Sequence, residues 1–249
     1  MTIRDEEQQN LSNASAPIVK RRRNWVWLMV HAVVYLPFRL WCRTAVVGRE
    51  NLDDQRGGVV IGNHQSFLDP LFLAVRLTRP VSYLARDSLF RVPFIGWICR
   101  NTYVIPISRT AFRGGSIRTA LERISNGFMI GIFPEGTRSS GPPKTFRPGF
   151  LSLVRRTDEP IYPVAIIGAD RVMPRGAWFI RPGRVTVVYG APLNKSEREE
   201  LQTLDDKAAA ALMQKRVDQL YYSIAQSPPE DTTVNSAHGN DKTDGCQES

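Results

Sequence analysis

The sequence predicts an α/β protein in which a mixed sheet is flanked by helices and preceded by an N-terminal membrane-associating helix. Short runs of β-branched and aromatic residues alternate along the chain with amphipathic segments, which is the pattern of an α/β sandwich. The chain has 249 residues, of which 42% are hydrophobic, so it is long enough for one such domain with a full core. The predicted strands cover residues 59–62, 81–85, 103–107, 128–133, 161–167 and 185–189.

The first apolar segment covers residues 25–38 and comes after a basic run at 20–23. As a helix it would rise about 21 Å, at roughly 1.5 Å per residue, which is short of the ~30 Å hydrocarbon core of a bilayer. Apolar side chains occupy all sides of this helix, so it requires burial in lipid or protein. We predict a helix embedded in the cytoplasmic leaflet, with Arg39 and Arg43 at the headgroups. A spanning helix that continues to Val47 is the alternative.

Two further helices are predicted from periodicity. Apolar residues recur on one face between Ile117 and Ile124, with Ser116 as the expected cap and Gly127 as the end of the helix. Residues 197–225 are expected to form one longer C-terminal helix.

The motif Asn-His-Gln-Ser-Phe-Leu-Asp occupies residues 63–69, directly after the first predicted strand. His64 is the candidate general base, because a neutral imidazole can accept a hydroxyl proton near neutral pH. Residues five apart do not share a helix face, so a turn must separate His64 from Asp69. Pro70 supports a helix with Asp69 as its N-cap, which would let the carboxylate orient the ring and stabilise the imidazolium. The alternative is that Asp69 is only a cap and His64 only a polar loop residue.

A nucleophile on the protein is not evident from the sequence. The cysteines are far apart and without evident partners: Cys42, Cys99 and Cys246. The chain also has no Gly-x-Ser-x-Gly motif. If His64 is a base, a hydroxyl on the substrate is therefore the natural nucleophile. The other histidines, His31 and His238, give no metal-ligand spacing, so no metal is expected.

A second motif, Phe-Pro-Glu-Gly-Thr-Arg-Ser, occupies residues 133–139 directly after another apolar run. Its tight turn can expose backbone N–H groups, and the Arg138 guanidinium can hold phosphate oxygens through two hydrogen bonds. Lys144 and Arg147 come closely after it, and Arg109 lies just after a third apolar run. Each arginine taken singly could be a solvated surface charge, but basic residues after successive strand-like runs favour an anion site.

The two motifs, in this order, resemble the glycerolipid acyltransferase family, whose best-known members are the 1-acylglycerol-3-phosphate acyltransferases. The resemblance covers roughly residues 49–193. It implies direct transfer of a fatty acyl chain from acyl-CoA or acyl-carrier protein to the sn-2 hydroxyl of 1-acylglycerol 3-phosphate (lysophosphatidic acid), which forms phosphatidic acid. No acyl-enzyme and no cofactor beyond the thioester co-substrate are implied.

The resemblance also assigns roles to residues of this sequence. It implies that His64 and Asp69 are catalytic. It implies that Arg138 and Arg109 bind the acceptor. The other residues predicted for substrate binding are Asn63, Glu135, Gly136, Thr137, Lys144 and Arg147. Glu135 would hold the arginines in place or contact the glycerol. The block before Arg109 departs from the family pattern, with Asn101-Thr102 where glycine is usual and Pro106 inside the apolar run; acceptor selectivity is therefore less well specified than the chemistry.

The sequence thus divides into a polar, disordered lead (1–19), a membrane-associating segment (20–47), an acyltransferase domain (48–226) and a polar, disordered tail (227–249). Its net charge of +9 indicates an anionic partner. The Trp-rich apolar segment favours anionic membrane lipid over nucleic acid and predicts a location at the cytoplasmic face of the inner membrane.

Two other functions compete with the first. One keeps the chemistry and changes the acceptor to another lysolipid, for example a lyso-ornithine lipid. The other is a non-catalytic basic protein that binds membranes or nucleic acid, which gives no reason for the spacing of His64 and Asp69.

Overall fold

The chain folds around one twisted sheet with helices on both faces. The structure is a computed structural model that describes residues 25–75, 77, 80–107 and 114–226. The predicted lead, the basic run at 20–23, Arg109 and the predicted tail lie outside the described residues.

Helices and strands alternate along most of the chain. The α-helices are α1 (Trp25–Leu40), α2 (Asp69–Ala74), α3 (Pro93–Asn101), α4 (Gly114–Ser125), α5 (Leu151–Val154), α6 (Ala169–Val172), α7 (Lys195–Thr203) and α8 (Asp206–Ala225). The strands are β1 (Ala45–Val47), β2 (Gly58–Gly62), β3 (Val81–Arg86), β4 (Ile105–Ile107), β5 (Met129–Ile132), β6 (Ile161–Ile167) and β7 (Thr186–Tyr189). Short 3-10 turns lie at Arg49–Asn51, Asp87–Arg91 and Pro148–Phe150.

The strands form a seven-stranded sheet in the order β1-β7-β6-β2-β5-β3-β4. β6 and β7 are antiparallel, and the other neighbouring pairs are parallel. The predicted mixed sheet flanked by helices is therefore confirmed. In the centre, β2 pairs with β5 in a register that places Ile61 opposite Ile132. These two strands consequently end side by side.

Alternate residues of the central strands supply two separate cores. Val59 and Ile61 face a cluster that is completed by α4, α5 and α8. Val60 faces the opposite cluster, which α2, α6 and the end of α1 cover. The rings of Phe38 in α1 and Phe72 in α2 lie 4.3 Å apart in this second cluster. α1 thus packs against the domain at its C-terminal end through Phe38, and Val26 is also buried near its N-terminal end.

The end of the first helix differs from the prediction. α1 ends at Leu40, so the alternative of a helix that continues to Val47 is wrong. Residues 45–47 instead form β1, which pairs with β7, and the sheet therefore begins before residue 48. None of the described helices is long and apolar enough to cross a bilayer.

Two expected caps are corrected by the structure. Ser116 lies inside α4 and its hydroxyl donates to the Pro106 carbonyl at 3.1 Å. Asp69 is the first residue of α2, with Leu68 at the N-cap position. The Asp69 carboxylate accepts from N–H groups that precede the helix, because the chain turns back over it.

The predicted C-terminal helix is two helices. α7 begins with a capping box formed by Asn194 and Glu197. α8 begins at Asp206, and the side chain of its N-cap, Asp205, accepts from the N–H groups of Lys207 and Ala208. The Arg155 side chain donates to the carbonyl of Leu204 between the helices at 2.7 Å. A distant arginine thus satisfies the backbone where the chain changes direction.

Candidate active site

The two sequence motifs meet at one edge of the sheet. β2 ends at Gly62 and β5 at Ile132, and because these neighbouring strands are parallel, the segments after them emerge together. The backbone N–H of His64 donates to Glu135 Oε1 at 3.1 Å. The N–H of Ser139 donates to the His64 carbonyl at 2.9 Å. Residues 63–69, which we call the histidine loop, are therefore joined to the Phe133–Ser139 turn by hydrogen bonds of the His64 backbone.

His64 and Asp69 form the expected pair. His64 Nδ1 lies 2.7 Å from Asp69 Oδ2, and the imidazole is 21% exposed whereas the carboxylate is wholly buried. With the Nδ1 proton held by the carboxylate, Nε2 is the nitrogen that can accept a proton. Among the described residues, the ring is hydrogen-bonded through Nδ1, and Nε2 is left for a substrate. The pair thus has the geometry of a base and its orienting carboxylate.

The Asp69 carboxylate is held by the turn between the two residues. Oδ2 also accepts from the N–H groups of Gln65 at 2.6 Å and Ser66 at 2.7 Å, which is how a spacing of five becomes a direct contact. Burial raises the pKa of Asp69, and the bonds from His64, Ser66 and Gln65 oppose that rise. The other oxygen, Oδ1, is buried with no partner in the described part of the chain.

Two aromatic rings support the imidazole. Phe133 stacks on His64 with ring centroids 4.7 Å apart, and Tyr83 lies parallel to Phe133 at 6.3 Å. The Tyr83 hydroxyl donates to the Pro70 carbonyl at 2.5 Å. A Cβ at Gly131 would lie 2.4 Å from the Tyr83 ring, so glycine is needed there for the stack to form. Reasoning from the sequence missed this stack, and the glycine inside a strand was its one visible signal.

Glu135 connects the motifs and does not pair with an arginine among the described residues. Its second oxygen accepts from the Ser139 hydroxyl at 2.8 Å, and the Lys144 backbone also donates to this carboxylate. The side chain is only 3% exposed, and this burial raises the pKa of Glu135. The expectation that Glu135 holds the arginines in place is therefore wrong for Arg138, because the carboxylate fixes the backbone of His64 instead.

The predicted cations surround the turn after β5. Gly136 has a φ of 67°, and a Cβ there would lie 3.6 Å from the Arg147 guanidinium, so Arg147 lies over the turn. The Arg147 N–H donates to the Pro134 carbonyl at 3.0 Å. Arg138 is half-buried, and neither it nor Arg147 forms an ion pair with a described carboxylate. These charges are available for an anionic ligand.

The remaining predicted residues differ in exposure. Thr137 and Lys144 are exposed beside this turn. Asn63 is wholly buried, and its amide exchanges two hydrogen bonds with the backbone of Ile166, at 2.8 and 2.7 Å. It thereby ties the end of β2 to β6 rather than facing the cleft. Arg109 is outside the described residues. The part of the chain that the structure describes has no group of three or more His, Cys, Asp and Glu side chains suited to a metal.

Comparison with known proteins finds acyltransferases. A family model described as Acyltransferase matches residues 43–167. The chain is 30% identical over 190 residues to the 1-acyl-sn-glycerol-3-phosphate acyltransferase of Borreliella burgdorferi, which covers 72% of this chain and 75% of that protein. It is 29% identical over 164 residues to the chloroplastic 1-acyl-sn-glycerol-3-phosphate acyltransferase BAT2 of Brassica napus, covering 64% of this chain and 47% of that one.

The fold has a counterpart among solved structures. The crystal structure of the 1-acyl-sn-glycerophosphate (LPA) acyltransferase PlsC from Thermotoga maritima superposes with a TM-score of 0.63 at 24% identity, covering 80% of each chain. The present chain spans about half the length of the plant and algal relatives that it matches. Because the family model covers half of the sequence and the Borreliella burgdorferi relative is matched over most of its length, this chain belongs to the acyltransferase family.

Proposed function

We propose that the protein transfers a fatty acyl chain from acyl-CoA or acyl-carrier protein to the sn-2 hydroxyl of 1-acylglycerol 3-phosphate, forming phosphatidic acid. The observation that carries this proposal is the His64–Asp69 pair. The His64 N–H donates to Glu135 in the turn after β5, where Arg138 and Arg147 form no ion pair with a described carboxylate. The names of the relatives from Borreliella burgdorferi and Brassica napus support the same reaction.

His64 would act first as a base and then as an acid. Its Nε2 takes the proton of the acceptor hydroxyl while the oxygen attacks the thioester carbonyl. The carbon–sulfur bond then breaks, and the imidazolium returns its proton to the leaving sulfur. Asp69 stabilises the imidazolium between these steps, as a buried carboxylate beside a histidine does. These reaction steps require no nucleophile on the protein and no cofactor.

The turn after β5 would hold the acceptor phosphate. Arg138 and Arg147 supply planar guanidinium groups that match phosphate oxygens, and Lys144 adds a point charge. Gly136 and Thr137 would contribute backbone N–H groups, and Arg109 is proposed to join them. Of the other predicted residues, Asn63 and Glu135 would act by holding the backbone of the histidine loop, since their polar atoms are already bonded within the protein.

α1 would hold the protein on the cytoplasmic face of the inner membrane, embedded in one leaflet. Its large apolar side chains are exposed along its length, including Trp25 at 67%, Val33 at 65% and Leu40 at 66%. Arg39 near its end has no acidic neighbour in the helix and would meet anionic headgroups. Such a surface suits an enzyme whose acceptor and product are both membrane lipids.

The proposal is tested with purified protein in detergent, oleoyl-CoA and a panel of lysolipids, with products identified by mass. We expect the fastest acylation with 1-acylglycerol 3-phosphate. Equal rates on acceptors without a phosphate, such as a lyso-ornithine lipid, would transfer the proposal to that acceptor class. Failure to acylate any lysolipid would contradict it.

The same protein tests direct transfer. Incubation with radiolabelled acyl-CoA alone should leave no covalent label, and initial-rate plots for the two substrates should intersect. Stoichiometric labelling of the protein with ping-pong kinetics would show an acyl-enzyme instead.

A further inference from the structure

Residues 173–184, in the connection between α6 and β7, expose two large aromatic side chains. We call these residues the aromatic loop. Trp178 is 91% exposed and Phe179 is 56% exposed. The transfer of indole and phenyl groups out of water is favourable, so adjacent aromatic residues exposed to solvent indicate a contact surface. Neither residue has a role in the site described above.

Hydrogen bonds fix this loop between the active site and the end of α1. At its start, the Met173 carbonyl accepts from the Ser66 hydroxyl at 3.1 Å, two residues from His64. At its centre, the Ile180 carbonyl accepts from the Trp41 indole N–H at 3.1 Å. Near its end, the Gly183 N–H donates to the Trp41 carbonyl at 3.2 Å. The aromatic loop is therefore attached both to the active-site segment at Ser66 and to Trp41 at the end of α1.

Exposed apolar side chains lie at the end of α1, next to the residue that holds this loop. Leu40 is 66% exposed and Trp41 is 54% exposed, and Trp41 makes the contacts that hold the loop. At the other end of the helix, the Trp25 ring lies 6.2 Å from that of Trp97 in α3, which is also exposed. Exposed aromatic residues thus lie at both ends of α1 and on the aromatic loop, and the exposed residues of α1 between them, except Arg39, are apolar.

The charge of this region indicates which surface it meets. The arginines of the loop and its preceding helix are Arg171, Arg175, Arg181 and Arg184. The one acidic residue of that helix, Asp170, accepts from the Gly141 N–H, and no acidic residue lies between Arg171 and Arg184. The Arg181 guanidinium lies 5.5 Å from the centre of the Phe179 ring. Exposed Trp and Phe side chains flanked by arginine match the headgroup region of an anionic bilayer, where aromatic rings are buried and cations meet phosphates.

We propose that the aromatic loop is a second membrane-inserting element, in which Trp178 and Phe179 enter the interface of an anionic bilayer beside α1. Insertion would hold the Ser66–His64 segment at the lipid surface, so that the acceptor need not leave the bilayer fully to reach the base. The proposal rests on the proposed function for the identity of the acceptor, but insertion itself can be measured without catalysis.

Vesicle flotation tests the loop directly. On vesicles of phosphatidylcholine and phosphatidylglycerol, the Trp178→Ser/Phe179→Ser protein should partition about ten-fold less than the wild type, because it loses two apolar anchors. The matched control is Tyr222→Ser, which removes a 43% exposed aromatic ring from α8, the helix on the opposite face of the sheet. It should bind as the wild type does. Equal binding of the loop variant and this control would overturn the proposal.

Fluorescence quenching gives an independent measure of insertion. The wild type is compared with Trp178→Phe, which keeps Trp41 and its bond to Ile180, on lipids brominated near the headgroup end of the acyl chain. The wild type should lose more emission on quenching, because Trp178 contributes to its signal. Equal losses in the two proteins would show that Trp178 stays in water.

Activity separates the two proposals. With a short-chain acceptor dissolved as monomers, the loop variant should keep wild-type turnover, whereas on vesicles its apparent acceptor KM should rise about ten-fold. If Trp178 is quenched but no lysolipid is acylated, the proposed function fails and the insertion stands. If acylation occurs but Trp178 is not quenched and the loop variant binds normally, the insertion fails alone.

Discussion

Replacement of Asp69 with asparagine removes one negative charge from the His64 pair while nearly preserving its shape. The carboxylate is wholly buried and its Oδ2 lies 2.7 Å from Nδ1. Opposite charges with centres about 4 Å apart interact by about 4 kcal/mol at an effective dielectric constant near 20. Since roughly 1.4 kcal/mol corresponds to a factor of ten in rate, we expect kcat to fall by about 10³.

The assay is the steady-state rate of acyl transfer from oleoyl-CoA to 1-acylglycerol 3-phosphate, with both substrates saturating. The asparagine oxygen can still accept the N–H groups of Gln65 and Ser66, so the turn should persist. Its amide nitrogen would occupy the place of Oδ1, which is buried without a described partner, at a cost of about 1–3 kcal/mol in the free energy of unfolding. Denaturant unfolding must therefore accompany the kinetics.

His64→Ala is the companion variant, because loss of a positioned base lowers rates by about 10²–10⁴. The double variant should be no slower than His64→Ala, since the carboxylate acts through the imidazole. A folded Asp69→Asn protein with turnover within about ten-fold of the wild type would refute the electrostatic role assigned to Asp69.

Three further predictions concern the surroundings of the pair. Arg138→Ala should raise the acceptor KM about ten-fold or more and leave the thioester KM unchanged, because a charge-assisted contact contributes about 1.5–3 kcal/mol; initial rates with and without the acceptor phosphate measure this. Burial raises the pKa of Glu135, so its contribution to stability is full below the ordinary value of 4.5 and is lost as pH rises through the folded value. Glu135→Gln should therefore gain stability relative to the wild type as pH rises over that interval, and a pH-independent difference in urea unfolding would contradict the assignment. Gly131→Ala places a Cβ 2.4 Å from the Tyr83 ring and should cost about 1–3 kcal/mol while lowering kcat more than it changes either KM, as thermal unfolding and kinetics together would show.

The sequence predicts the fold best where one strand is apolar throughout. β6 has the predicted bounds, 161–167, because a strand buried on both faces gives an uninterrupted apolar run. β1 was missed, since three residues between a helix and a turn carry no period of their own. The break between α7 and α8 was also missed, because Arg155, which bonds the carbonyls of Leu201 and Leu204, is distant in sequence. Periodicity does not contain such contacts.

In the site, as in the fold, local contacts were predicted and contacts between distant segments were not. Chemistry and spacing predicted the contact of His64 with Asp69, which local turns can make. They gave the wrong cap, because a carboxylate at the start of a helix can accept N–H groups on either side of it, and only the fold of residues 65–68 decides which. The bridge from Glu135 to His64 requires β5 to lie beside β2, a pairing that no local pattern specifies.

The pairing of β2 with β5 also determines which distance between hydroxyl and phosphate the proposed enzyme accepts in its acceptor. The base comes after one strand and the cationic turn after the other, and neighbouring strands lie about 4.8 Å apart in a rigid sheet. Because the acceptor supplies the nucleophile, its hydroxyl must reach Nε2 while its phosphate lies on the turn. The distance between the acceptor hydroxyl and phosphate must therefore match the distance between Nε2 and the turn, which the sheet register fixes. A slip of one residue would turn every side chain of the strand to the opposite face, so the register must be held by the core. We accordingly expect selectivity for the acceptor headgroup to depend on this pairing, and selectivity for the acyl chain to depend on surfaces outside it.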